Sequence, residues 1–134
     1  MLTVTVVMLA SCSPVVEIRN NYGGEIDLFY DWRLRLEETP VRIGGHCHSA
    51  CTMLLTLPLA CVEPTAILGF HGASPDKGNY EANLYADMIM GQYYNEELLR
   101  RYVEEWRHKR GRGNITVLTA QEVVKLDPNI KLCE

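Results

Sequence analysis

The sequence predicts an α/β fold, on three observations. Short Val- and Ile-rich runs alternate with stretches whose apolar residues recur at helical spacing. Paired glycines follow two of those runs, at Gly23-Gly24 and Gly44-Gly45. An apolar, helix-like run from Ser49 to Leu57 stands between two strand-like segments. Strands that alternate with helices point to crossover connections.

The first segment, Met1 to Pro14, is mostly apolar and is read apart from a single domain over residues 15–134. Leu9-Ala10-Ser11-Cys12 fits a bacterial lipoprotein cleavage pattern, although no Lys or Arg precedes it. Thr3 to Leu9 equally reads as a Val- and Thr-rich strand. A third reading has the chain start inside a longer signal or domain.

Pro14 to Arg19 (PVVEIR) is the next expected strand, closed by the turn NNYGG. Glu25 to Glu38 is an expected helix, with Ile26, Phe29, Tyr30 and Leu34 on one apolar face and Arg33 outside it. Thr39-Pro40 ends it, because the residue before proline avoids the helical region. Val41 to Ile43 is a brief strand. Ser49 to Leu57 is a buried helix stopped by Pro58. Cys61 to Pro64 is a turn, and Ala66 to Phe70 is a buried strand delivering His71.

Gly72 to Gly78 is a loop. Asn79 to Lys109 is helical, with Gly91 as a break. Leu84, Met88, Gly91 and Tyr94 form the expected inner face, continued by Leu98, Leu99, Tyr102 and Trp106. Gly111 to Asn114 caps the helical stretch. Ile115 to Leu118 is a short strand. Thr119 and Glu122 form a capping box for a helix to Leu126. Asp127-Pro128-Asn129 turns the chain into a tail.

The 134 residues suit one domain, and 47% apolar with 22% charged residues is ordinary for a globular protein. A net charge of −4 leaves no electrostatic footprint for nucleic acid. The basic cluster Arg107 to Arg112 reads as a helix C-terminus complementing its dipole. Five cysteines cannot all pair within the chain. Buried thiols are the first reading, and a disulfide of Cys47 or Cys51, with Cys61 as one partner, is the second. A metal site drawing on His46 and His48 is the last, because no second ligand pair follows at finger spacing. No cofactor is expected, and no ATP-binding loop is present in the sequence.

Chemistry concentrates between Ile43 and Ala73. Serine needs a base to take its proton, and histidine is the usual one near neutral pH. Ser49 and His71 supply that pair. The Ala50 amide, with Gly23 or Gly24 from the adjacent strand end, supplies donors for an oxyanion. On spacing alone, Ser49 as a helix N-cap and His71 as a satisfied loop histidine remain the stronger reading.

NNYGGEI resembles the Asn-Ser-Pro-Gly-Gly motif of the Clp protease proteolytic subunit, within the crotonase-like superfamily. CHSACTMLL resembles the Cys-x-Ser-Ala-Cys motif of periplasmic Clp-protease-like proteins, and AILGFHGA resembles the segment carrying that family's histidine. LTAQEVVKLDPNIK is similar to its C-terminal segment. The resemblance covers Val15 to Lys131 in the family's order. It implies a Clp-protease/crotonase-like spiral of ββα units, shortened at the N-terminus. It also implies Ser49 as nucleophile, His71 as base, and Gly23 or Gly24 with Ala50 as the oxyanion hole. Peptide or unfolded protein substrates, strand addition beside the site, self-assembly, an unfoldase or envelope partner and an envelope or periplasmic location follow from the same resemblance. A cytoplasmic location is the alternative.

Three departures accompany it. Asn114-Ile115-Thr116 stands where the family has its triad aspartate, which makes Asn114 the first candidate to orient His71 and Thr116 the second. Tyr22 replaces the proline before the glycine pair. The family's first strand and helix are largely missing before Val15. Two further functions therefore stand beside a serine peptidase: a non-catalytic envelope or assembly protein of the same fold, and a crotonase-like acyl-CoA enzyme.

Overall fold

The computed structural model describes residues 14–73, 80–110 and 113–134. The lipoprotein pattern at Cys12 and the strand reading of Thr3 to Leu9 lie outside the described residues. The chain is mixed α/β. In order it forms β1 (Val16–Asn21), α1 (Ile26–Arg35), β2 (Val41–His48), a 3-10 helix (Ser49–Leu54), β3 (Ala60–Val62) and β4 (Ile67–Phe70). Then come α2 (Tyr80–Gly91), α3 (Glu96–Glu104), a short 3-10 turn (Trp106–His108), β5 (Thr116–Thr119), α4 (Ala120–Leu126) and β6 (Lys131–Leu132).

One curled sheet runs β5-β4-β2-β3-β6, and β1 pairs with β2. All its pairings are parallel except β4 with β5. β2 is longer than the sequence suggests, because it continues through Gly44-Gly45 to His48. Its first part pairs with β3 and its last part with β4, so it changes partner across the glycines. Gly45 has φ +60, and a methyl group there would lie 2.2 Å from Asn20 Oδ1. That oxygen accepts from the amide of His46 at 3.1 Å. The register of β1 on β2 shifts at the same level, between Arg19 and Asn21.

Other expectations are corrected here. Cys61 to Pro64 is not simply a turn, because Ala60–Val62 pairs with β2 on one side and with β6 on the other. The Ser49 segment is a 3-10 helix rather than an α-helix over its first six residues. Thr52 Oγ1 donates to Ser49 O at 2.6 Å, and Leu55 N and Leu57 N continue three-residue bonds to Thr52 and Leu54.

The helix faces are also rotated from their expected orientation. On α1, Phe29 is buried while Tyr30 and Leu34 are exposed. Arg33 turns inward instead. It donates to Met53 O at 2.5 Å, to Thr56 Oγ1 at 2.9 Å and to Thr56 O at 3.0 Å. Those carbonyls close the 3-10 helix and lack helical partners of their own. On α2, Met88 is 66% exposed and Leu84 is exposed, whereas Asp87 and Met90 are buried. Asp87 is drawn in by three donors: Ala73 N at 2.8 Å, Tyr102 Oη at 2.9 Å and Arg110 Nη2 at 2.7 Å.

The cysteines pair as Cys47–Cys51 and Cys61–Cys133. Cys61 therefore takes the C-terminal cysteine, which lies beside it through the β3–β6 pairing. Two disulfides are compatible with an extracytoplasmic protein. Among the described residues, no helix is long and apolar enough to cross a membrane.

Candidate active site

Ser49 sits where β2 ends and the 3-10 helix begins, with φ +57. A left-handed conformation at a residue with a side chain is uncommon and costs about 1–3 kcal/mol, so the surroundings must impose it. Three neighbours do so. Cys47 and Cys51 are bonded across it. Thr52 Oγ1 holds its carbonyl, and the same hydroxyl lies 2.6 Å from the buried Tyr94 Oη. Burial keeps the Tyr94 phenol far above the usual phenol range, so it remains a neutral hydroxyl partner.

The third neighbour is the glycine turn after β1. A Cβ on Gly23 would lie 2.8 Å from Ser49 Cβ, 2.9 Å from His48 O and 3.1 Å from Ala50 N. Only glycine brings a backbone this close at φ +88. Asn21 shapes the turn, because its Oδ1 accepts from Gly23 N at 2.9 Å. The amide of Gly23 is thus engaged. That of Gly24 has no hydrogen-bond partner among the described residues. The amide of Ala50 falls in the first helical turn, where the helix offers no acceptor.

His71 follows β4 and is buried. Its Nδ1 lies 2.5 Å from Gly72 O. A carbonyl only accepts, so Nδ1 carries the proton and Nε2 is the basic nitrogen. The segment behind the ring is held on several sides. Gly72 N donates to Lys109 O at 2.8 Å, and Arg110 Nη1 donates to Ala73 O at 2.6 Å. Arg107 O would lie 2.0 Å from a Cβ on Gly72. Arg107, Lys109 and Arg110 of the basic cluster therefore brace the histidine loop, and lie beyond the last residue of α3 rather than in its final turn.

A cavity of about 860 Å³ brings Ser49, His71, Gly23, Gly24 and Ala50 together. Tyr22, Ile26, Ala86, Met90 and Ile115 give it an apolar wall. No hydrogen bond joins Ser49 Oγ to His71 among the described residues. Asn114 is exposed and outside the lining, and the carbonyl of Gly72, not the Asn114 amide, takes the Nδ1 proton. The orienting role assigned to Asn114 is corrected accordingly.

Sequence reasoning weighed His48 only as a metal ligand beside His46 and missed that it lines the cavity. Its Nε2 lies 3.1 Å from His46 Nδ1, and Tyr22 packs against both rings. Burial first, then the nearby His46 and His71, hold its pKa below the ordinary imidazole value. The signal was the His46-x-His48 spacing, which places both rings on one face of β2. Below this level Glu63 accepts from Arg19 and from Arg42 Nε, the latter at 2.9 Å, beside the glycine-bearing middle of β2. Among the described residues no group of three His, Cys, Asp or Glu side chains is placed to hold a metal. No protein-family model matches this chain, and a sequence comparison with curated proteins finds no match.

Proposed function

We propose that this protein is a serine hydrolase of the Clp-protease-like type that cleaves peptide bonds. The observation that carries the reading is the convergence of Ser49, in a left-handed conformation, with His71 and two uncommitted amides on one cavity. In the proposed reaction His71 Nε2 takes the Ser49 hydroxyl proton as Oγ attacks the substrate carbonyl. The oxyanion is received by the amides of Gly24 and Ala50. His71 then returns the proton to the leaving amine, and water repeats the sequence on the acyl-enzyme. The Gly72 carbonyl fixes the tautomer without supplying the negative charge of a triad aspartate. Losing that charge lowers rates by up to about four decades when the tautomer is also wrong; here the tautomer is kept.

The same reading makes the curled sheet part of a Clp-protease/crotonase-like spiral, with peptides or unfolded proteins as substrates and self-assembly as its working state. The disulfides favour the bacterial envelope as its location. A fluorophosphonate probe tests the chemistry. Ser49 is expected to be labelled, and Ser49→Ala and His71→Ala to abolish labelling. Labelling that survives Ser49→Ala defeats the proposal.

One observation favours a second reading, a non-catalytic envelope or assembly protein. Among the described residues Ser49 and His71 are not hydrogen-bonded, and the far ring nitrogen meets the Gly72 carbonyl and no carboxylate. Catalytic pairs are often long without substrate and tighten when it binds. Complete absence of labelling in folded protein selects this second reading.

A further inference from the structure

We propose that the Cys47–Cys51 disulfide is the positioning element of this site, holding Ser49 in its reactive conformation only while the bond is closed. The inference rests on the hydrolase reading of Ser49 and adds a redox requirement to it. Cys47 is fixed in the sheet, paired with Asn21 of β1 on one side and Leu68 of β4 on the other. Cys51 lies in the 3-10 helix. The bond joins them at a Cα separation of 5.3 Å, so the chain must turn back within the residues between. Ser49 is the middle residue of that ring and carries the left-handed φ.

Two comparisons separate this role from general stabilisation and from redox catalysis. A disulfide constrains the unfolded chain more when it closes a longer loop. Cys61–Cys133 has a sequence separation of 72, whereas Cys47–Cys51 has one of 4. The long bond therefore contributes the larger share of global stability, and the short one acts locally. Both Cys47 and Cys51 are fully buried. A disulfide that turns over as a redox catalyst needs a sulfur exposed in the folded state, which this pair lacks; a dithiol reaches it only when the segment opens locally.

Opening the bond requires two electrons and two protons. A dithiol supplies them and leaves as its own disulfide, while Cys47 and Cys51 become thiols. Ser49 is then free to return to the right-handed region. That movement takes its hydroxyl and the Ala50 amide away from the cavity geometry.

The test compares fluorophosphonate labelling of wild type, C47A/C51A and C61A/C133A, each oxidised and below its own unfolding midpoint. The expected result is a labelling rate at least tenfold lower in C47A/C51A with an unchanged circular dichroism spectrum. C61A/C133A is expected to have a lower midpoint and the wild-type labelling rate. Labelling of C47A/C51A at the wild-type rate overturns the proposal. Should C47A/C51A not fold, the C61A/C133A protein is reduced with a dithiol and reoxidised. With reduction confirmed by a count of free thiols, labelling that falls and recovers with the remaining bond supports the proposal, and labelling indifferent to it overturns the proposal. If oxidised wild type is never labelled, the hydrolase reading fails by itself. The positioning claim is then read from backbone chemical shifts of Ser49 in wild type and in C47A/C51A, or in reduced C61A/C133A should C47A/C51A not fold. A left-handed signature lost with the disulfide supports it, and one that persists overturns it.

Discussion

Gly23 and Ser49 belong to different strand ends, yet a methyl group on Gly23 would lie 2.8 Å from Ser49 Cβ. The turn after β1 is therefore a wall of the nucleophile's pocket as well as a source of amides. Each conformation depends on the other: φ +88 at Gly23 leaves room for Ser49 at φ +57. Substituting Gly23→Ala forces both a left-handed alanine and a collision with backbone and Cβ atoms. The expected cost is about 1–3 kcal/mol from the torsion alone, with further loss as Ser49 is displaced. Urea denaturation measures the first effect and probe labelling the second. Wild-type labelling in Gly23→Ala would remove the glycine turn from the site.

Arg33 shows how a distant side chain supports the same element. Its guanidinium serves three acceptors at Met53 and Thr56 and lies 4.2 Å over the Tyr93 ring. Burial lowers its pKa, but its partners are acceptors that need the charged donor. Arg33→Met keeps much of the packing and strips the helix end of its donors. Leaving a buried acceptor unpaired costs about 1–3 kcal/mol, and the half-buried position of Thr56 puts this case toward the lower end, read as a lower urea midpoint. An unchanged midpoint would show that water replaces the guanidinium.

Asp87 supports the other half of the site. It ties α2 to Ala73, Tyr102 and Arg110, directly behind the His71 loop. Asp87→Ala leaves the Tyr102 hydroxyl and the Ala73 amide without their acceptor, and Arg110 with the Ala73 carbonyl but no carboxylate. Removing one partner of a buried pair costs about 3–5 kcal/mol, and partial exposure of Arg110 places this case near about 3. The thermal midpoint and the labelling rate are both expected to fall. Arg100→Ala is the control, because its pairs with Glu97 and Glu104 lie on the surface of α3 and are worth little. Equal effects from the two variants would contradict the assigned role of Asp87.

These long-range partners mark where the sequence ceased to be readable. The order of strands and helices followed from local signals, and so did the capping box, in which Thr119 and Glu122 make both reciprocal bonds. The glycine pair, Ser49 and His71 were likewise visible as residue types on neighbouring elements. Helix rotation was not. Arg33 and Asp87 look solvated by periodicity, and they turn inward for acceptors and donors distant in sequence. The strand Ala60–Val62 was too short to show alternation. The pairing of Cys61 with Cys133 depends on β3 lying beside β6, a contact no spacing reveals.

Acid should weaken the fold in two separate steps, and the signs follow from two groups. His48 has its folded pKa below the ordinary imidazole value of 6.5, chiefly through burial and then through His46 and His71. The unfolded chain therefore binds a proton that the folded chain resists. This contribution is complete above the unfolded value and is lost as pH falls from there through the folded one. Glu63 has its pKa below 4.5, through hydrogen bonds from Arg42 and then Arg19. Its contribution is complete above that value and disappears only as pH falls through the lower folded one. Urea denaturation followed from neutral pH downward should show stability declining first in the histidine range and again in the carboxylate range. His48→Gln is expected to flatten the first decline and leave the second, and Glu63→Gln the reverse. If His48→Gln leaves the upper slope unaltered, burial beside His46 and His71 does not hold His48 neutral, and the first step belongs to another group.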